Sequence, residues 1–134
     1  MRTAIDSSVL WCLLNHEAEA PRWQSILDHA SREGELVICP VAFAEITPAY
    51  ASTKDALDDL ERLTINYDPI LPSAAWKAGQ VFKSYRLAVG PRDTLIPDFL
   101  IAAHALVQAD RLAAADRGYL RSYFPSLKLL GISR

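Results

Sequence analysis

Four acidic side chains carry most of the chemistry this sequence could support: Asp6, Glu45, Asp98 and Asp116. Asp6 and Asp116 each follow directly on a short apolar segment, which puts them at carboxyl ends of strands, where open α/β sheets collect their ligands. Asp98 heads a helical stripe, because steps of about 100° per residue bring Ile101, Ala102 and Ala105 back onto its face. Glu45 is the only charge between Leu36 and Lys54 and is flanked by Phe43, Ala44 and Ile46, so burying it requires a compensating partner such as a cation. Each acid alone has an ordinary explanation. Asp6 suits a helix N-cap, Asp98 a helix dipole, Asp116 a turn, and Glu45 the solvent side of a helix. Together they are more simply explained by one shared metal site. Oxygen donors without clustered His and Cys select magnesium, with manganese as a substitute.

The acids need elements that carry them to one place. Residues 2–5 read as a short strand, Asp6-Ser7-Ser8 supply N-cap chemistry, and the apolar run 9–14 reads as a helix. A second helix follows, with Pro21 in its first turn, Trp23, Ile26, Leu27 and Ala30 at helical spacing, and Gly34 as a C′ stop. Residues 36–39 read as a buried strand and 41–50 as the helix that carries Glu45. Ser52 or Thr53 caps a short helix running to Leu63, and 64–67 alternate like a strand. Trp76, Val81, Phe82 and Tyr85 are placed on one face of a helix over 73–87, which Gly90-Pro91 ends. Pro97 opens the helix 98–109, residues 111–115 form a strand, Asp116-Arg117-Gly118 turn, and 127–132 form a last strand. Strands alternating with helices imply an α/β fold with a mostly parallel sheet of four to five strands covered on both faces, in a single domain over 1–134.

The composition, 51 % apolar and 22 % charged, is that of a chain that buries a core. The net charge of −2 hides an asymmetry: residues 1–67 hold five Lys and Arg against eleven Asp and Glu, whereas 68–134 hold nine against five. Arg92, Arg111, Arg117, Arg121 and Lys128 belong to the basic half and could meet phosphates beside an acidic centre, although surface charge on helices and turns accounts for each equally well. No apolar run reaches the roughly 18 residues that span a bilayer, so neither a signal peptide nor a membrane segment is expected. Cys12 and Cys39 lack CxxC spacing and a nearby histidine pair, which leaves zinc unsupported and points to a reducing cytoplasm. The five glycines, at 34, 79, 90, 118 and 131, are never closer than 11 residues, so no phosphate-binding glycine loop is present.

The motifs AIDSSVL at 4–10, FAEI at 43–46, PDFLIAAHA at 97–105 and AADRGYLRSYFP at 114–125 together resemble a PIN domain. More closely, they resemble the ribonuclease toxin of a VapBC-type toxin–antitoxin pair. The resemblance spans essentially the whole chain in order and implies the three-layer α/β/α PIN-like fold. By motif, Asp6 is the acid after the first strand, Glu45 the helix acid, Asp98 the acid opening the Ile-Ala-Ala helix, and Asp116 the acid after the fourth strand. One departure stands out: Ala114 occupies a position where such proteins usually have Ser or Thr, so Asp116 lacks that supporting hydroxyl.

The resemblance implies an Mg²⁺-dependent endoribonuclease, a cognate antitoxin and a homodimer. Asp6, Asp98 and Asp116 would hold the metal while Glu45 handles the attacking water. A catalytically silent PIN-fold RNA- or protein-binding domain is the alternative. Phosphoaspartyl chemistry is disfavoured, since Ser7 and Ser8 stand where receiver domains and haloacid-dehalogenase-like phosphatases need an acid. His16, His29 and His104 fall on separate helices and read as structural or surface residues, and Trp11, Trp23 and Trp76 as core or interface anchors.

Overall fold

The structure is a computed structural model and describes residues 1–89, 96–115 and 122–132. Asp116, its turn with Arg117 and Gly118, and the Gly90-Pro91 break lie outside the described residues. Five short strands, β1 (Thr3–Ile5), β2 (Leu36–Ile38), β3 (Ile65–Tyr67), β4 (Arg111–Ala113) and β5 (Leu129–Leu130), form one sheet in the order β3-β2-β1-β4-β5. Every pairing is parallel. The central strands β1 and β2 are buried throughout, as parallel strands covered on both faces must be, while the edge strands β3 and β5 are partly open. Helices α1 (Ser7–Leu14), α2 (Ala20–Glu33), α3 (Pro40–Ile46), α4 (Thr53–Arg62), α5 (Pro72–Val89) and α6 (Ile96–Gln108) complete a three-layer α/β/α arrangement. None of these helices is long and apolar enough to cross a membrane.

Local chemistry sets most boundaries. Asp6 takes an extended backbone and its carboxylate accepts the Ser8 N–H, which starts α1, and the Ser52 hydroxyl does the same for Asp55 N–H at α4. In α2, Trp23, Leu27 and Ala30 recur on one face and are buried. Gly34 closes α2, but its φ of 166° is extended rather than left-handed. Glycine is needed there for space, since a Cβ would lie 1.9 Å from the Met1 carbonyl oxygen.

Several expectations change, and the strands expected over 111–115 and 127–132 shorten to Arg111–Ala113 and Leu129–Leu130. The helix carrying Glu45 ends at Ile46 and tightens into a 3₁₀ turn over Thr47–Ala49. Pro48 has no N–H to offer the Ala44 carbonyl, and the Thr47 hydroxyl donates to that oxygen instead, at 2.9 Å. Thr64 leaves the third strand, because with φ of 60° it forms the turn that ends α4. Trp76 leaves the core face of α5: it is 66 % exposed, and Ala74, Ala78 and Tyr85 are the buried residues of that helix. The rings of Phe82 and Tyr85 meet Phe99 at 6.0 and 5.6 Å, and Tyr123 and Phe124 close around Phe99, which joins α5 to α6.

Candidate functional site

The chain lays down β1, β2 and β3 outward in one direction and then returns to place β4 on the other side of β1. The connections leaving β1 and β4 therefore diverge, and a crevice opens at the carboxyl ends of these two strands. Asp6 stands at that crevice with 1 % of its surface exposed. Its N–H donates to the Ala113 carbonyl at 2.9 Å, and the Ala115 N–H donates to the Ser8 hydroxyl at 3.0 Å, so the β1–α1 turn is fastened to the end of β4. Asp6 Oδ2 accepts the Ser8 N–H at 2.9 Å.

Glu45 joins this turn from a different element. The Ser7 hydroxyl donates to Glu45 Oε1 at 2.8 Å, and α3, which carries Glu45, packs against α1 on one side and α6 on the other. Asp98 is half-buried in the first turn of α6, where the helix dipole favours a negative charge. The structure thus ties the turn that carries Asp6 to Glu45 through the Ser7 hydroxyl and puts Asp98 on the helix that borders α3. Among the described residues, no three His, Cys, Asp or Glu side chains close into a metal cage. Ala114, the departure noted in the sequence, is buried and donates its N–H to the Leu130 carbonyl, so it serves the sheet.

The donors available suit a hard cation. Asp6, Glu45 and Asp98 offer carboxylate oxygens, and magnesium typically binds through one or two carboxylates with water completing its shell. Cys39, at the start of α3, is no competitor for a soft metal. Burial pushes its thiol pKa up and the charge of Glu45 adds to the effect, so the thiolate that would ligate is disfavoured. Sequence reasoning gave Ser7 and Ser8 only a share in the N-cap chemistry after Asp6. Ser8 faces the end of β4, and the contact with Glu45 belongs to Ser7, across 38 positions of sequence.

A second polar cluster lies apart from these acids. His104 Nε2 is 2.7 Å from Asp68 Oδ2, and because a carboxylate only accepts, that nitrogen carries the proton. Arg2 reaches Asp68 Oδ1 at 3.2 Å, and Gln108 donates to Asp68 Oδ2 at 3.1 Å and to the Pro69 carbonyl at 2.9 Å. The network ties α6 to the segment after β3. The sequence left all three histidines as structural or surface residues; His104 is the buried, structural one, and His16 and His29 are exposed.

No curated protein matches the chain. The family model described as PIN domain matches residues 3–124. Among solved structures, VapBC2 from Rickettsia felis, bound to a DNA fragment from its promoter, superimposes with a TM-score of 0.75 at 13 % identity, covering 99 % of this chain and 100 % of that one. VapBC-1 from nontypeable Haemophilus influenzae gives a TM-score of 0.68 at 15 % identity, with 98 % of both chains covered. DNA-bound VapBC from Salmonella typhimurium gives 0.64 at 16 %, again with 98 % of both.

Proposed function

This chain belongs to the PIN domain family, and on that premise we propose that it is the toxin of a toxin–antitoxin pair, an endoribonuclease that hydrolyses RNA phosphodiester bonds with Mg²⁺. The observation that carries the reading is Asp6, an acid 1 % exposed at the switch-point crevice, in a turn whose Ser7 hydroxyl holds a second acid, Glu45. Asp6, Asp98 and Asp116 are the residues assigned to hold the metal. Magnesium, when bound, supplies charge neutralisation at the phosphate and Lewis acidity. Glu45 takes the proton of the attacking water. Ser7 engages its Oε1, which leaves Oε2 fully open to accept a proton, and the same hydrogen bond fixes the side chain's direction. Manganese is expected to substitute.

The printed names of the structural neighbours describe VapBC complexes, which supports a cognate antitoxin as partner of this chain as well. Such a partner would lay an apolar segment on the surface and bring a basic residue against the acids, and a homodimer is the expected assembly.

The test is cleavage of structured RNAs by the chain freed of any antitoxin. Activity is expected with Mg²⁺ or Mn²⁺, none with EDTA, and products with a 5′-phosphate. Glu45→Gln is expected to lose about 100-fold or more, the contribution of a positioned base. Asp6→Asn and Asp98→Asn are expected to fall below detection. Cleavage that survives EDTA, or products ending in a cyclic phosphate, would refute the metal-dependent mechanism.

A further inference from the structure

Resting on the ribonuclease reading above, we infer that the outer face of α5, with Trp76 between Lys77, Lys83 and Arg86, is the surface that holds the RNA substrate's strand outside the acidic crevice. This helix carries three cations and no Asp or Glu over its 18 residues, in a chain whose net charge is −2. Ala74, Ala78 and Tyr85 face inward. At about 100° per residue, Trp76, Lys83 and Leu87 fall on the opposite side of the helix, with Lys77 and Arg86 flanking them. Trp76 is 66 % exposed and Leu87 81 %. An indole open to solvent on a helix face that carries Lys77 next to it and Lys83 and Arg86 about two to three turns further on is a combination that can stack a base while neighbouring phosphates along the strand are neutralised.

The contrast with the other basic residues sharpens the assignment. Arg2, Lys54, Arg62 and Arg111 each meet a carboxylate, Glu35, Asp58, Asp59 and Glu33 respectively. Lys77, Lys83 and Arg86 meet none among the described residues, and neither do Arg32 and Lys128, but only on α5 do three such cations share one helix. The Arg86 guanidinium lies 6.0 Å from the centre of the Phe82 ring, a contact that orients it without cancelling its charge. The charge is also in a useful place. Phe82 and Tyr85 pack on Phe99, the neighbour of Asp98, so Lys83 and Arg86 sit at the end of α5 nearest the Asp98 turn. Trp76 lies about 15 Å further along the helix axis. A second copy of the chain fits this face less well, because a twofold contact centred on it would bring Lys83 against its own symmetry mate.

The experiment is equilibrium binding of a 5′-fluorescein-labelled RNA hairpin, read by anisotropy in EDTA so that the RNA stays intact, over a series of salt concentrations. Trp76→Ala is expected to weaken binding by about 5- to 100-fold. The triple variant Lys77→Gln, Lys83→Gln, Arg86→Gln is expected to flatten the dependence of log Kd on log salt by about 2. All four side chains are exposed, so melting temperatures should stay at the wild-type value and confirm folding. Asp6→Asn separates the two proposals, since it should bind the hairpin yet not cleave it. If the wild type cleaves RNA and both α5 variants bind it unchanged, the α5 inference fails and the ribonuclease reading stands. A triple variant that alters sedimentation without altering RNA binding marks α5 as a protein interface and also overturns the inference. A wild type that neither binds nor cleaves RNA removes both.

Discussion

Asp6 and His104 are each 1 % exposed, yet their surroundings are of opposite kinds. His104 belongs to a network in which charges are balanced within the chain: its ring donates to Asp68, and Asp68 also receives Arg2 and Gln108. Arg2 is shared further with Glu35 and donates to the Gln108 carbonyl. Asp6 caps α1 in the turn that is hydrogen-bonded to the end of β4. Its turn holds a second carboxylate, Glu45, through Ser7, and α3 leads on to the helix that begins with Asp98. A balanced network holds elements together, whereas a carboxylate at a strand end, in a turn that holds a second acid, is where an α/β sheet can take a ligand. On the proposed reading, the first region keeps the fold and the second serves the chemistry.

The strongest way to break that distinction is to remove one carboxylate from each region. Asp68→Asn keeps the shape but leaves the Arg2 guanidinium without its buried-side partner and turns the His104 contact into a neutral one. The expected cost is about 2 to 3 kcal/mol, the scale of hydrogen bonds to charged groups. Asp6→Asn retains an N-cap that serves as well as aspartate, so urea unfolding should shift by less than about 1 kcal/mol. Its loss should be in cleavage. If Asp6→Asn proves the more destabilising of the two, the two regions have been assigned the wrong way round.

Ser7→Ala sharpens the comparison with a smaller effect. It deletes the link between the Asp6 turn and Glu45 and leaves every carboxylate in place. A group that orients an active carboxylate is typically worth about tenfold in activity, and that loss is expected with little change in melting temperature, because Glu45 is partly open to water. Ser7→Thr, which keeps the hydroxyl, should recover most of the activity. A purely structural serine would show the reverse, a fall in melting temperature that threonine does not relieve.

How much of this was legible in the sequence depended on the range of the interaction. The alternation of strands and helices, the caps at Asp6 and Ser52, and the strand-end position of Asp6 are local patterns, and they read correctly. Trp76 was misassigned because hydrophobicity was weighed by size: the buried ridge of α5 uses the small Ala74 and Ala78, which fit close to α6, while the largest apolar side chain points outward. The end of α3 obeyed a local rule, the missing N–H of Pro48, that the longer expected helix overlooked. The reason for Gly34 is the approach of Met1, and the partners of Ser7 and His104 lie 38 and 36 residues away. Those contacts follow from sheet order and helix packing, which no periodicity encodes. The place of Asp116 lies outside the described residues, so the fourth acid rests on its motif.

Acid should act on the balanced region through His104 first. Burial lowers its pKa below the ordinary 6.5, and the hydrogen bond to Asp68 offsets only part of that. The unfolded chain therefore takes up a proton as pH falls through 6.5 while the folded chain does not, so stability is complete above that value and declines below it. Burial by itself would raise the Asp68 carboxyl, but the bonds from His104 and Arg2 outweigh it and hold the group below its ordinary 3.8. Its contribution is consequently present above 3.8 and is lost only in stronger acid, as pH falls through the folded value. The two windows are separate, and between about pH 7 and pH 5 the slope belongs to the histidine. Urea midpoints measured across that interval should fall for the wild type and change less for His104→Leu, which has no ring to titrate. Equal slopes for the two proteins would mean that the buried imidazole is not what couples this fold to pH.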